Sequence, residues 1–177
     1  MNRFLIVVDM QHDFIDGALG TPEALSILSA AADRIRACRA YGYRVIATLD
    51  THDDNYMNSR EGRKLPVPHC IRGTDGWELH PVIREALGDD ALLLEKPTFG
   101  SVRLPEIIRG EADPAEPLTI ELIGLCTDIC VVSNALLVKA AFPEADVQVS
   151  AACCAGVTPE KHQAALETMA SCQIDIL

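Results

Sequence analysis

The chain has 177 residues, 49% of them hydrophobic and only 5% aromatic, which fits one domain with a full core. Fifteen basic against 26 acidic residues give a net charge of −11 with no block of lysine or arginine, so nucleic acid and anionic membrane are poor candidate partners. Seven cysteines, an odd number with no CxxC pair, fit a reduced, cytoplasmic compartment better than a disulfide framework.

The opening run ending at Asp9 is too short for a signal segment and closes on an acid, so Phe4 to Val8 reads as a first strand. Thr21-Pro22, a cap followed by proline at the first helical position, opens a helix whose Leu25, Leu28, Ala32 and Ile35 recur at three- and four-residue steps. Arg44 to Leu49 is a second strand. From Asp50 to about Gly76 the chain is irregular, with two prolines and three glycines, and a loop of that length in a compact domain is usually functional. Further strands are expected at Ala91 to Leu94, Leu118 to Ile123, Val147 to Val149 and Ile174 to Leu177. Ser133 to Ala141 reads as a helix, and Thr158-Pro159-Glu160 opens another with Ala165, Leu166 and Met169 inward. Six β units alternating with α units predict an α/β fold, three-layered and doubly wound, with a six-stranded, mostly parallel sheet in one domain over residues 1–177.

The ends of these strands carry a pattern that composition does not predict. Asp9 ends the first strand, Asp50 and His52 the second and Lys96 the third, while Cys130 follows the fourth. In a doubly wound sheet those ends share one edge, where ligands bind at the switch point. A cysteine attacking an amide carbon needs a base, a positive neighbour and donors for the oxyanion. Asp9 can take the proton, Lys96 can supply the charge, and the N–H groups of Cys126 and Cys130 can form the oxyanion hole. Cys130 is expected in the first turn of the helix that follows, where the dipole lowers a thiol pKa. Lys96 has to reach across more than one strand spacing of roughly 4.8 Å to meet Asp9.

Asp50, His52, Glu61 and His69 form a second cluster of oxygen and nitrogen donors suited to zinc, manganese or iron. With fewer than six protein ligands, such a site leaves a position for water or a substrate nitrogen. His12 and Asp13 stay outside this set, as do His80 and His162, which read as ordinary surface residues on helices.

Five motifs together resemble the isochorismatase-like cysteine hydrolases, and among them the nicotinamidases. They are Val8-Asp9-Met10-Gln11-His12-Asp13-Phe14, Leu49-Asp50-Thr51-His52, Pro68-His69-Cys70-Ile71-Arg72-Gly73-Thr74, Glu95-Lys96 and Cys126-Thr127-Asp128-Ile129-Cys130-Val131. The resemblance covers nearly the whole chain. It implies an isochorismatase-like, Rossmann-like fold, a triad of Asp9, Lys96 and Cys130, a cis Leu125-Cys126 bond that points the Cys126 N–H into the oxyanion hole, and hydrolysis of a carboxamide through a thioester. It further implies a divalent ion, zinc first, and a homo-oligomer. The family's commonest metal set has three histidines and one aspartate; here Asn58 stands near the place of one histidine, and Glu61, nine residues after His52, takes the placement some relatives use. Leu65-Pro66-Val67-Pro68 stands where nicotinamidases often carry an aromatic, leaving Phe14 and Phe99 to wall a substrate ring, with Trp77 packing the loop. The expected partner is a small amide, nicotinamide first. A carbamoyl or ureido substrate and a non-catalytic ligand-binding module stay open as alternatives, distinguished by ammonia release and by the reactivity of Cys130.

Overall fold

The computed structural model describes residues 2–177. Strands β1 (Asn2–Val8), β2 (Arg44–Asp50), β3 (Leu92–Lys96), β4 (Leu118–Leu125), β5 (Asp146–Ala155) and β6 (Asp175–Ile176) form one sheet in the order β3-β2-β1-β4-β5-β6. Every adjacent pair is parallel, so the sheet is wholly rather than mostly parallel. Each return to the sheet passes through helical chain, which is what a parallel neighbour requires.

Period-two alternation divides the core into two layers. Leu5 and Val7 of β1 pack on one face with Val45, Ala47 and Leu49 of β2, under helices α1 (His12–Ile15), α2 (Pro22–Ser26), α3 (Leu28–Ala40) and α4 (Pro81–Leu87). Phe4, Ile6 and Val8 pack on the other with Ile120 and Leu122, under α5 (Arg103–Glu111), α6 (Val132–Ala141) and α7 (Pro159–Ser171). One polar side chain interrupts the first layer. Glu121, fully buried in β4, receives two hydrogen bonds from Arg34 of α3 at 2.7 and 2.6 Å and one from Ser150 at 2.6 Å.

Several elements differ from the sequence expectation. The Thr21 side chain caps α2 as expected, accepting the Ala24 N–H at 3.0 Å, but the helix stops at Ser26 and restarts at Leu28. Ala24, Ile27, Ala31, Ala32 and Ile35 face the core, in step across the break, while Leu25 is 49% exposed. The one-turn α1 ahead of it carries no long apolar period and was not anticipated. Strands β4 and β5 run beyond their predicted ends, and β6 is shorter. The second half of β5, Ser150-Ala151-Ala152-Cys153-Cys154-Ala155, has little intrinsic strand preference; pairing with β4 across a register shift between Leu122 and Gly124 makes it a strand.

Candidate active site

Between β1 and β4 the chain's connections diverge, and the crevice outside those strand ends holds the predicted residues. Asp9 follows β1 in a left-handed conformation, φ +49°, that turns it onto the rim. Its carboxylate is fully buried: Thr48 Oγ1 donates to Oδ1 at 2.6 Å, and Lys96 Nζ lies 2.6 Å from Oδ2. Lys96 comes from β3, with the whole of β2 between it and β1. It spans that gap and also reaches Cys130 Sγ at 3.6 Å and Asp50 Oδ1 at 3.2 Å. No shorter cation reaches all three.

Cys130 arrives by a different local geometry from the one expected. Thr127–Val131 forms a π-helical turn, and α6 begins only at Val132, so the thiol precedes the α-helix instead of lying in its first turn. The Ile129 and Val131 N–H groups both return to the Cys126 carbonyl, at 3.0 and 3.1 Å. Among the described residues, no backbone hydrogen bond outside the helices and strands takes up the N–H of Cys126. The Leu125-Cys126 peptide bond is cis. Asn134, four residues after Cys130 and fully buried, donates to the Cys130 carbonyl at 2.8 Å and accepts the Ser101 N–H at 3.0 Å.

The electrostatics correct one further expectation. Burial and the neighbouring Asp9 push the Cys130 thiol well above its ordinary pKa, and the opposing charge of Lys96 does not overcome them. Burial likewise raises Asp9 against the pull of Lys96. Burial opposes the charge on Lys96, but Asp9, Cys130 and Asp50 outweigh it and hold the ammonium protonated. With two carboxylates around one cation, a thiolate is disfavoured until Asp9 takes up a proton. Burial therefore favours the thiol form of Cys130, against the expectation of a thiol pKa lowered by a helix end.

Asp50, His52, Glu61 and His69 converge next to this cluster, with one ligand-type atom of each lying within 4.8 Å of the others. His52 Nε2 is 3.1 Å from Asp50 Oδ2, His69 Nε2 is 3.5 Å from the same oxygen, and Glu61 Oε1 lies 3.8 Å from both imidazoles. Burial opposes ionisation of Asp50, yet hydrogen bonds from His52 and His69 and the charge of Lys96 outweigh it and hold the carboxyl well below its ordinary range. His69 Nδ1 faces the Val67 carbonyl at 2.8 Å, so that nitrogen carries a hydrogen and Nε2 is the one turned to the cluster. Two carboxylates and two imidazoles so arranged fit a divalent ion. Tyr56, buried behind both rings at 4.7 and 5.0 Å, packs them in place. Asn58 is exposed and bonds to Asn55 instead of joining the set.

The four residues left outside the metal set have definite places. His12, Asp16 and His80 form a separate cluster, and His80 caps α4 rather than lying on it. His162 is not an ordinary surface residue: its Nδ1 meets Thr127 Oγ1 at 2.8 Å, bracing the turn that carries Cys130. Asp13 hydrogen-bonds the Cys70 N–H. Trp77 does pack the loop, donating to Thr51 Oγ1 at 2.9 Å.

A cavity of about 300 Å³ joins the two clusters. Phe14 and Phe99 line it as expected, with Leu65, Leu125 and Ile129, and Cys126, Cys130, Glu61 and His69 open into it. Sequence reasoning missed Thr48, Gln11, Tyr56 and Asn134. Asn134 had a signal, four residues beyond Cys130 on one helix face; Thr48 and Gln11 had none, because their partners come from other strands.

Comparison with known proteins agrees with this fold. A family model described as "Isochorismatase domain" matches residues 3–177. The chain belongs to the isochorismatase family. This isochorismatase-family hydrolase is 26% identical to the nicotinamidase/pyrazinamidase of Mycobacterium tuberculosis over 99% of its own length and 98% of that protein. Among solved structures it is similar to the pyrazinamidase of Pyrococcus horikoshii in complex with zinc, at 31% identity and a TM-score of 0.83, covering 100% of this chain and 99% of that one. It is also similar to the N-carbamoylsarcosine amidase of Thermoplasma acidophilum, at 27% identity and a TM-score of 0.79, over 99% and 95%. A hydrolase of this family with nicotinamidase homologues is consistent with an amidohydrolase.

Proposed function

We propose that this isochorismatase-family hydrolase is a metal-assisted cysteine amidohydrolase that converts nicotinamide to nicotinic acid and ammonia, in the salvage of NAD, with residues 1–177 acting as a single catalytic domain. The observation that carries the reading is the meeting of Asp9 after β1, Lys96 of β3 and Cys130 on the turn after β4, with Cys130 opening into an apolar cavity.

Asp9 removes the Cys130 proton and the sulfur attacks the amide carbon. The oxyanion forms against the N–H groups of Cys126 and Cys130 and within the field of Lys96. As the tetrahedral adduct collapses, the proton on Asp9 passes to the leaving nitrogen and ammonia departs, leaving a thioester. Asp9, now ionised again, takes a proton from water; the hydroxide equivalent attacks the thioester, and the acid leaves as the proton returns to sulfur. Burial of Asp9 suits both roles, because a raised carboxyl pKa makes it a stronger base and lets its conjugate acid persist to higher pH than that of a surface aspartate.

Asp50, His52, Glu61 and His69 are proposed to hold a divalent ion, zinc first and manganese or iron as alternatives. When bound, the ion supplies a Lewis-acid position for a ring nitrogen of the substrate. Phe14 and Phe99 are proposed to wall the ring. The partners proposed are a small amide and further copies of the chain, in the cytoplasm.

One observation favours a second substrate class. Leu65, instead of an aromatic, lines the cavity ahead of His69, so stacking on a pyridine is weaker than in typical nicotinamidases. A carbamoyl or ureido compound would use the same triad. Ammonia release from nicotinamide, pyrazinamide and a set of carbamoyl and ureido compounds, with Cys130→Ala as blank, decides between them. Cys130-dependent turnover only of the latter set would discard nicotinamide and keep the triad, whereas no turnover of any compound would favour the non-catalytic module.

A further inference from the structure

Gln11 and Asp13, on the turn that follows Asp9, grip the metal cluster through its backbone. Gln11 is fully buried; its Oε1 accepts the Asp50 N–H at 2.8 Å, and its Nε2 donates to the Asp50 carbonyl at 2.9 Å and the Trp77 carbonyl at 2.8 Å. Asp13 holds the other side. Its Oδ2 accepts the Cys70 N–H at 2.7 Å, and its Oδ1 accepts the Ala18 N–H at 3.1 Å.

Cys70 is the residue after His69 and sits at φ +47°, a left-handed conformation that a residue with a Cβ adopts only at a cost. A charge-assisted hydrogen bond to its N–H is the kind of restraint that keeps it there. The next residue of α1, Phe14, meets the His69 ring edge-on with centroids 5.6 Å apart. Two glycines make room for the carboxylate. A Cβ on Gly76 would lie 2.2 Å from Asp13 Oδ2, and one on Gly17 would lie 2.6 Å from Oδ1. That enclosure leaves the Asp13 carboxylate little freedom to leave Cys70.

We propose that Asp13 is a positioning residue for the metal centre: by holding the Cys70 N–H it fixes the left-handed backbone that aims His69 Nε2 at Asp50 and Glu61. The inference rests on the reading of Asp50, His52, Glu61 and His69 as metal ligands. Asp13 touches no ligand atom itself, so its effect passes through the peptide that follows His69.

The test is a zinc titration of the metal-stripped full chain, in competition with a chromogenic chelator, with the urea midpoint of each metal-free variant measured alongside. Asp13→Ala is expected to weaken zinc binding by about tenfold or more, the range seen when outer supports of ligands are lost. Asp13→Asn, whose side-chain carbonyl can still accept the Cys70 N–H, is expected to recover most of that loss. Gly76→Ala keeps the Asp13 charge but displaces the carboxylate, and is expected to weaken zinc binding in the wild-type background and to add nothing to Asp13→Ala. If Asp13→Ala does not fold, Asp13→Asn and Gly76→Ala carry the comparison. Wild-type zinc affinity in Asp13→Ala, equal losses in the Ala and Asn variants, or additive losses in the double variant overturn the positioning role while leaving the metal site in place. Failure of the wild-type chain to bind zinc, or unchanged binding in His69→Ala, overturns the metal site and this inference with it.

Discussion

Asp50 and Lys96, paired in register across β2 and β3, meet again at their side-chain tips, where Lys96 Nζ lies 3.2 Å from Asp50 Oδ1. The other oxygen of the same carboxylate faces His52 and His69. One buried carboxylate thus touches both the thiol cluster and the cluster of candidate metal ligands.

Removing the nucleophile is the plainest test of the mechanism. Cys130→Ala is expected to lower kcat for amide hydrolysis by at least about 10⁴-fold, because the remaining groups have no bond-forming partner for the carbonyl carbon. The loss of one sulfur should leave the circular dichroism spectrum and the unfolding midpoint nearly unchanged. Ammonia release above about one per cent of wild type would sink covalent catalysis by this residue.

The acid side of the pH profile should report Asp9. A base works only when ionised, so kcat/KM is expected to hold above the Asp9 pKa and to fall as pH drops through it. Burial raises that pKa, which places the fall above the range of a surface aspartate. Thr48 donates to the Asp9 carboxylate and stabilises its charge, so Thr48→Val should move the fall to still higher pH. An unmoved or downward-moved limb in that variant, measured on metal-replete enzyme, contradicts the assignment.

Metal dependence has two independent readouts. Dialysis against a chelator is expected to lower turnover of a heteroaromatic amide, and added zinc to restore it. Elemental analysis should find about one ion per chain in wild type and substantially less in His52→Ala, which removes one of four ligands. Full turnover by metal-free protein would remove the ion from the reaction.

The Arg34–Glu121 pair is expected to matter for folding and not for chemistry. Glu121 is fully buried, so Arg34→Ala strands a carboxylate in the core; with the Arg34 side chain 36% exposed, the expected cost is about 2–4 kcal/mol, below that of a wholly buried pair. Replacing both, as in Arg34→Met with Glu121→Leu, should recover much of it. Urea midpoints of the single and double variants measure this, and a double variant no more stable than Arg34→Ala contradicts the account.

Much of the fold was legible because its signals are local. Thr21-Pro22 and Thr158-Pro159 mark true helix starts, since a hydroxyl cap and a fixed proline φ act within one turn. The apolar runs located all six strands, and Asp9, Asp50, Lys96 and Cys130, at or after the ends of the first four, pointed to one rim. Leu25 shows the limit: its spacing groups it with Leu28, Ala32 and Ile35, yet Ala24 and Ile27 face the core in its place and it is 49% exposed.

By itself the sequence determined the alternation of strand and helix, the placing of Asp9, Asp50, Lys96 and Cys130 at strand ends, and the family resemblance those residues carry. It did so because hydrophobic period, capping and turn chemistry depend on residues within a few positions of each other. Only the tertiary structure decided that β2 is the strand Lys96 passes to reach Asp9 and Cys130, that a π turn carries the thiol, and that burial and Asp9 push that thiol's pKa up. The supporting contacts of Thr48, Gln11 and Asp13 belong there too, since each joins residues 39 or more positions apart. Strand order brings those groups together, and the cost of leaving buried polar atoms unpaired selects which of them meet.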